Sequence, residues 1–198
     1  MKLIDQSWKF TRRVNGNDML KQIERAGRTC YRSENKITPD SARAFVSMIM
    51  DSGHLSVIEH CSIGVRIVTD RGVTHELVRH RLAAYSQEST RYCNYAKDTA
   101  IRFILPVDFA LSGNDVRLLR EIEKHYVYSI AIGRTAQQAR YFLPNGVKTE
   151  IVTTANLREW RHIFTMRTSP RAHPQMRALM TSMLAGFQKA VPVIFDAL

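Results

Sequence analysis

The spacing of apolar residues sorts most of the chain into strands and helices before any chemistry is considered. Residues 2–14 read as a strand with Leu3, Ile4, Trp8 and Phe10 as its apolar positions. Asn17-Asp18 is placed to cap a helix in which Met19, Leu20, Ile23 and Ala26 follow the 3.6-residue repeat. After a polar loop from Arg32 to Lys36, a second helix opens at Thr38-Pro39-Asp40. It turns Ala42, Phe45, Val46 and Ile49 to one side and stops at Gly53. In Cys61 to Thr69, the residues Ile63, Val65, Ile67 and Thr69 alternate with Ser62, Gly64, Arg66 and Val68, the period of a strand. Asp70-Arg71-Gly72 is expected to turn the chain into a helix running from Val73 to about Ala84.

Ile101 to Pro106 predicts a short strand, and Asn114 to Ile132 a long helix that Gly133 ends or bends. A further helix carries Ala136, Ala139, Arg140 and Phe142 and stops at Leu143-Pro144-Asn145-Gly146. Thr149 to Thr154 is β-branched and reads as a strand. Asn156 caps a helix to about Arg167, and Pro174 opens the last helix, with Met176, Leu179, Met180, Met183 and Leu184 on its apolar side. There is no repeat, low-complexity stretch or linker. The expectation is a single α+β domain over residues 1–198, with more helix than strand and a core large enough to fold without staples.

Hydrophobic content of 44% and charged content of 24% keep the chain in the soluble globular class. The net charge of +11 changes the picture, because it calls for an anionic partner: a phosphorylated ligand, a nucleic acid or an acidic surface. The cations are 21 Arg against 8 Lys. Lysine would serve solubility equally well, so the bias favours directed anion recognition, with compositional drift as the bland alternative. Cys30, Cys61 and Cys93 are odd in number and form no C-x-x-C pair, and Met1–Asp5 lacks the apolar core of a signal peptide. A reducing, cytoplasmic setting without a disulfide framework is expected, in the host cytoplasm if the gene is viral. No run approaches the roughly 20 apolar residues of a membrane span.

Candidate chemistry concentrates in Arg79 to Tyr92, where three arginines, a histidine, two serines, a glutamine and a glutamate share fourteen residues. Arginine is rarely buried without a partner, and its planar fork holds phosphate through two parallel hydrogen bonds. Asn156 to Arg167 is the second unusual segment. On a helix, Arg158, Arg161 and His162 fall on one face and Arg167 lies roughly half a turn away. The competing reading of that segment is a solvated basic face over a core of Trp160, Ile163 and Phe164. Arg140, near a helix end, has on its own the look of a cation that favours a helix C-terminus. His75-Glu76-x-x-x-His80 misses the zinc-protease spacing, since histidines five apart do not share a metal on a helix; no metal site is expected. No Walker loop or dinucleotide-binding glycine motif is present, and no cysteine has the company of a reactive thiolate.

Arg79-His80-Arg81, followed after seven residues by Ser89-Thr90-Arg91, resembles the RHR-x7-S-x-R signature of the flavin-dependent thymidylate synthases, the ThyX family. His54, Ser56, Glu59 and His60 resemble its H-x-[ST]-x-x-EH segment. Arg140 ahead of Leu143-Pro144 matches as well, as do Asn156, Arg158, His162 and Arg167. Ala84 and Glu76 depart from the Ser and Gln that many members carry. The resemblance implies a ThyX-type fold, a mixed sheet flanked by long helices, assembled as a homotetramer with sites shared between subunits. It implies dTMP formation from dUMP, with FAD as cofactor, NADPH as reductant and methylenetetrahydrofolate as carbon donor. By position, Ser56, Arg79, His80, Arg81, Gln87, Asn156, Arg158 and His162 would hold FAD. Glu76, Arg79, Gln87, Glu88, Ser89, Thr90, Arg91, Arg140 and Arg167 would hold dUMP, with Arg167 favouring ionisation at N3 of the uracil. Two rivals stay open: a related enzyme that methylates or hydroxymethylates a deoxypyrimidine nucleotide, and a basic nucleic-acid-binding protein.

Overall fold

Alternating burial sets the strands, and capped apolar stripes set the helices. The computed structural model describes residues 1–198. Its strands are β1 (Lys2–Ile4), β2 (Ser7–Phe10), β3 (Ser62–Asp70), β4 (Ala83–Gln87), β5 (Arg102–Ile104) and β6 (Lys148–Asn156). Its helices are α1 (Gly16–Thr29), α2 (Ser41–Asp51), α3 (Arg71–Leu77), α4 (Gly113–Ala131), α5 (Ala136–Ala139), α6 (Leu157–Arg167) and α7 (Pro174–Ala190). β1 and β5 pair in parallel with Leu3 opposite Phe103, and a four-stranded sheet has the order β2-β3-β6-β4. The fold is α+β, as the periodicity predicts. No helix is long and apolar enough to cross a membrane.

The chain divides into two compact units. The first comprises Met1–Trp8, Arg66–Arg79 and Tyr85–Val152, the second Lys9–Val65, His80–Ala84 and Thr153–Leu198. In the first unit Tyr95, Ile101, Phe103, Tyr126, Ala139 and Val147 make the core, with Leu3, Leu119, Ile122 and Leu143 packed around it. α4 starts from a capping box between Ser112 and Asp115, and Gly133 just beyond its end takes a φ of +91°. In the second unit Trp160 and Phe164 of α6 meet Phe187 of α7, with ring centroids 5.1 and 5.0 Å away. The buried Trp160 indole N–H donates to the Ile63 carbonyl at 2.9 Å. A large apolar side chain with its one polar group satisfied locks α6 against β3.

Several boundaries differ from the sequence reading. Residues 2–14 break into β1 and β2, which join different sheets. Asn15, not Asn17, caps α1, its side chain accepting the Asp18 N–H. Asp70 is a helix cap rather than a turn residue: its carboxylate accepts the Val73 N–H at 2.8 Å, so α3 begins at Arg71. α3 also stops at Leu77, well short of Ala84. The Leu77 carbonyl, which a continuing helix would offer to the N–H four residues on, instead accepts the Tyr85 hydroxyl at 2.9 Å. Ala83–Gln87 therefore becomes a strand, and Arg79-His80-Arg81 lies in the link between α3 and β4 rather than on a helix.

Candidate active site

In the first unit, the chain leaves β4 at Gln87 and folds into a tight turn. The Glu88 N–H donates to the Glu150 carbonyl at 2.8 Å, which seats the turn on β6. The Ser89 carbonyl accepts the N–H groups of Tyr92 and Cys93, and the Ser89 Oγ accepts the Arg91 N–H at 3.3 Å. The Ser89 hydroxyl proton is thus left to donate outward. Thr90 is buried, and its Oγ1 accepts Nη1 of Arg140 at 3.0 Å. The exposed Arg91 is steadied by Gln137, 2.9 Å from its Nε. Two guanidinium groups therefore attend one short turn, and Arg140 is part of it rather than an isolated helix-end cation.

Gln87 has its orientation fixed from behind. Thr74 spends its hydroxyl proton on the Arg71 carbonyl at 3.0 Å, so it faces Gln87 as an acceptor. That assigns Gln87 Nε2 as the group 2.9 Å away, with Thr149 Oγ1 at 3.2 Å as its second partner. The Gln87 Oε1 is the part left to meet a ligand, and it can only accept.

Glu88 is used differently. One carboxylate oxygen accepts the Tyr95 hydroxyl and the other Nζ of Lys148, both at 2.7 Å. Lys148 is 7% exposed and also pairs with Glu150 at 2.8 Å, which in turn reaches Arg66 at 2.9 Å. The Lys148 ammonium holds the Glu150 carboxyl below the usual range against the opposing effect of burial. Burial and the neighbouring Glu88 push the Tyr95 hydroxyl up, so it remains a donor. With both oxygens committed, Glu88 anchors the turn. Glu76 is half-buried in the last turn of α3. The exposed Arg79 side chain, beyond it, forms no ion pair.

In the second unit the candidate residues lie on and beside α6. The Asn156 side chain caps it by accepting the Glu159 N–H at 2.8 Å, as the sequence predicts. Arg158 pairs with Glu59 at 2.7 Å, and the two remain well exposed. Ser56 is exposed on the short 3-10 helix Leu55–His60, which packs against α6. Arg161 does not join Arg158 as a ligand-facing cation: its Nη1 donates to the Ile194 carbonyl, because the half-buried side chain runs back under the C-terminal segment. Arg81 is exposed and has no ion pair.

His80 is the surprise of the signature, for it is buried at 7% exposure while its two arginine neighbours are not. Its Nε2 accepts Nε of Arg167 at 2.9 Å, and its Nδ1 lies 3.7 Å from Glu159, itself 6% exposed. The exposed His162 ring meets it edge-on with centroids 5.6 Å apart. Burial, then Arg167 and His162, hold the His80 pKa down to about 4. Burial pushes the Glu159 carboxyl up, against the lesser pull of His162. At 3.7 Å, beyond hydrogen-bond reach and with the imidazole held neutral, His80 and Glu159 are not a hydrogen-bonded ion pair.

Sequence reasoning missed Thr74, Thr149, Lys148, Tyr95 and Glu159. Glu159 had a signal that pointed elsewhere: Asn156-x-x-Glu159 is capping-box spacing, but the carboxylate faces His80 instead of turning back to the cap. Lys148 shows only as a charged residue ahead of a β-branched run. The cysteines are all free, and burial pushes the Cys61 thiol up, away from reactivity.

A family model described as thymidylate synthase complementing protein matches residues 14–193. A flavin-dependent thymidylate synthase of Geobacter sulfurreducens is 35% identical over 184 residues, covering 86% of this chain and 78% of the relative. That of Mycobacterium tuberculosis strain H37Rv is 35% identical over 192 residues, covering 87% and 77%. Among solved structures, a UMP/dUMP methylase, PolB, from Streptomyces cacaoi bound with 5-Br dUMP shares the fold with a TM-score of 0.79 at 21% identity, over 100% of this chain and 96% of that one. With the arginine signature resolved into its two settings and matches of this extent, the chain belongs to the flavin-dependent thymidylate synthase family, FAD-dependent methyltransferases.

Proposed function

We propose that the chain converts dUMP to dTMP, with carbon from methylenetetrahydrofolate and NADPH as reductant. The observation that carries this reading is the state of the signature cations: Arg79 and Arg81 are exposed without ion pairs, and Arg91 and Arg140 attend the Ser89–Thr90 turn. The nucleotide is assigned to that turn. The Ser89 hydroxyl donates to its phosphate, Arg91 and Arg140 supply charge, and Glu88 keeps the turn seated. Gln87 presents Oε1 to an N–H donor, either of the pyrimidine or of the flavin. Glu76 and Arg79 complete the nucleotide's contacts.

The second unit's residues fit an anionic dinucleotide. An exposed pair such as Arg158–Glu59 contributes little on its own, so Arg158 is readily turned to a phosphate. Asn156, Arg158, His162 and Ser56, with Arg79, His80 and Arg81, are assigned to FAD. The reduced flavin, when bound, supplies the hydride. Arg167 directs a guanidinium to the pyrimidine, where a positioned cation stabilises the N3 anion. Its Nε is engaged by His80. The two units are proposed to act as one enzyme domain within a cytoplasmic homotetramer whose subunits share sites.

The test is reconstitution. Purified protein with FAD, NADPH, methylenetetrahydrofolate and dUMP should be yellow and yield dTMP, with omission of any one component stopping turnover. Product mass separates methylation from hydroxymethylation, and UMP in place of dUMP tests the sugar. A preparation that takes up no FAD overturns the reading.

A further inference from the structure

We propose that His80 is a positioning residue for Arg167, holding the guanidinium in one orientation through its Nε2 lone pair, and that Glu159 selects the tautomer that makes this possible. The proposal rests on the assignment of Arg167 to the pyrimidine. The Nε2 of His80 receives the Nε–H of Arg167 at 2.9 Å, so that nitrogen carries no proton. In a neutral ring the proton is then on Nδ1, the nitrogen 3.7 Å from the Glu159 carboxylate. A carboxylate favours a ring N–H on the side facing it, so Glu159 and Arg167 select the same tautomer from opposite edges of the ring. His80 and Glu159 are buried and Arg167 is half-buried, while the arginines on either side of His80 are exposed.

Burial is also what keeps His80 able to accept. A protonated ring would present N–H to N–H and release the guanidinium, and His80 is held well below its ordinary pKa. Arginine at the end of a helix has four rotatable bonds, and a bond at Nε fixes the plane of the fork in a way that contacts at Nη do not. The gain is a guanidinium already aimed before the ligand arrives.

Two measurements on the full-length protein decide the matter. The first is the imidazole 15N spectrum of His80 in FAD-free and FAD-loaded protein between pH 6 and 8. An unprotonated Nε2 with Nδ1–H is expected in both, and an Nε2–H tautomer overturns the proposal. Glu159→Gln should move part of the population to Nε2–H; an unchanged tautomer removes Glu159 from it. The second is the kinetic comparison of His80→Gln, whose amide oxygen can replace Nε2 as acceptor, with His80→Leu, which has no acceptor. His80→Leu saturated with FAD should lose roughly tenfold or more in kcat, and His80→Gln should recover most of that loss. Loss of FAD affinity without loss of kcat in His80→Leu, or a folded His80→Gln as impaired as His80→Leu, overturns it. If His80→Leu does not fold, the tautomer and His80→Gln decide. Wild-type protein without dUMP methylation defeats the functional reading and leaves the tautomer measurement to judge the positioning.

Discussion

A buried histidine that accepts a hydrogen bond has a price, and it is visible in pH dependence. His80 titrates near 4 in the folded chain against about 6.5 when exposed. As pH falls through that window the unfolded chain takes up a proton the folded chain refuses. The contribution is therefore fully present above about 6.5 and is lost as pH falls to about 4, on the order of 3 kcal/mol in all. Glu159, with its folded pKa raised, works in the opposite sense: what it contributes is present below its unfolded value and fades as pH rises through its folded one. Comparing urea midpoints of wild type and His80→Gln at pH 7 and pH 4.5 cancels most of the Glu159 effect. The wild type should lose more stability on acidification than the variant, and equal losses would remove the histidine as the cause. Arg167→Ala should nearly abolish turnover with the unfolding midpoint little changed; retained turnover would sink the role assigned to Arg167. At this scale the exposure of Arg79, Arg81 and Arg91 was legible, because arginines clustered in a polar stretch must face water, acids or an anion. The sequence could not tell that Arg161 spends Nη1 on a carbonyl 33 residues away, or that Glu88 faces Lys148, 60 residues on. Such partners are chosen by tertiary approach, and nothing local encodes them.

The elements show why two helices of similar sequence signal came out so differently. α6 was legible because its cap and its buried stripe lie within its own residues: Asn156 at one end, Trp160, Ile163 and Phe164 along the inside. Asn156→Ala should cost about 1 kcal/mol of stability, from the lost cap, and weaken FAD binding as well. An unfolding midpoint unmoved by the substitution would mean that Trp160 and its aromatic neighbours alone fix the helix. α3 was misread because what ends it is Tyr85, a residue beyond the helix that occupies the Leu77 carbonyl. The same non-local logic makes the Ser89 turn depend on β6. Removing Lys148 leaves Glu88 and Glu150 facing each other without their shared cation, and both are only partly screened by water. Lys148→Met should cost roughly 2–3 kcal/mol and raise the KM for dUMP more than it lowers kcat, because the turn loosens while Arg167 is untouched. A variant with lowered stability and an unchanged KM would separate the ion-pair network from the nucleotide.

At the scale of the whole molecule the question is what a net charge of +11 is for. A nucleic-acid binder and a phosphorylated-metabolite enzyme both call for cations, but they spend them differently. The first needs a track of phosphate contacts, and the counterions released from six to ten of them make affinity fall by about 10³ to 10⁵ between 50 and 200 mM salt. The second needs a few cations held at fixed places, and the structure has that pattern: Arg140 bonded to Thr90, Arg167 bonded to His80, Lys148 enclosed by two carboxylates. Cations held by a protein scaffold bind a small phosphate mainly through directed hydrogen bonds, and screening reduces that only modestly over the same range. The dUMP affinity of the FAD-loaded protein should therefore fall no more than about tenfold from 50 to 200 mM salt. Any affinity for a single- or double-stranded oligonucleotide should collapse over that interval. Isothermal titration of both ligands at three salt concentrations makes the comparison. Oligonucleotide binding that survives at 200 mM while dUMP does not bind would transfer the charge, and the site with it, to the nucleic-acid reading.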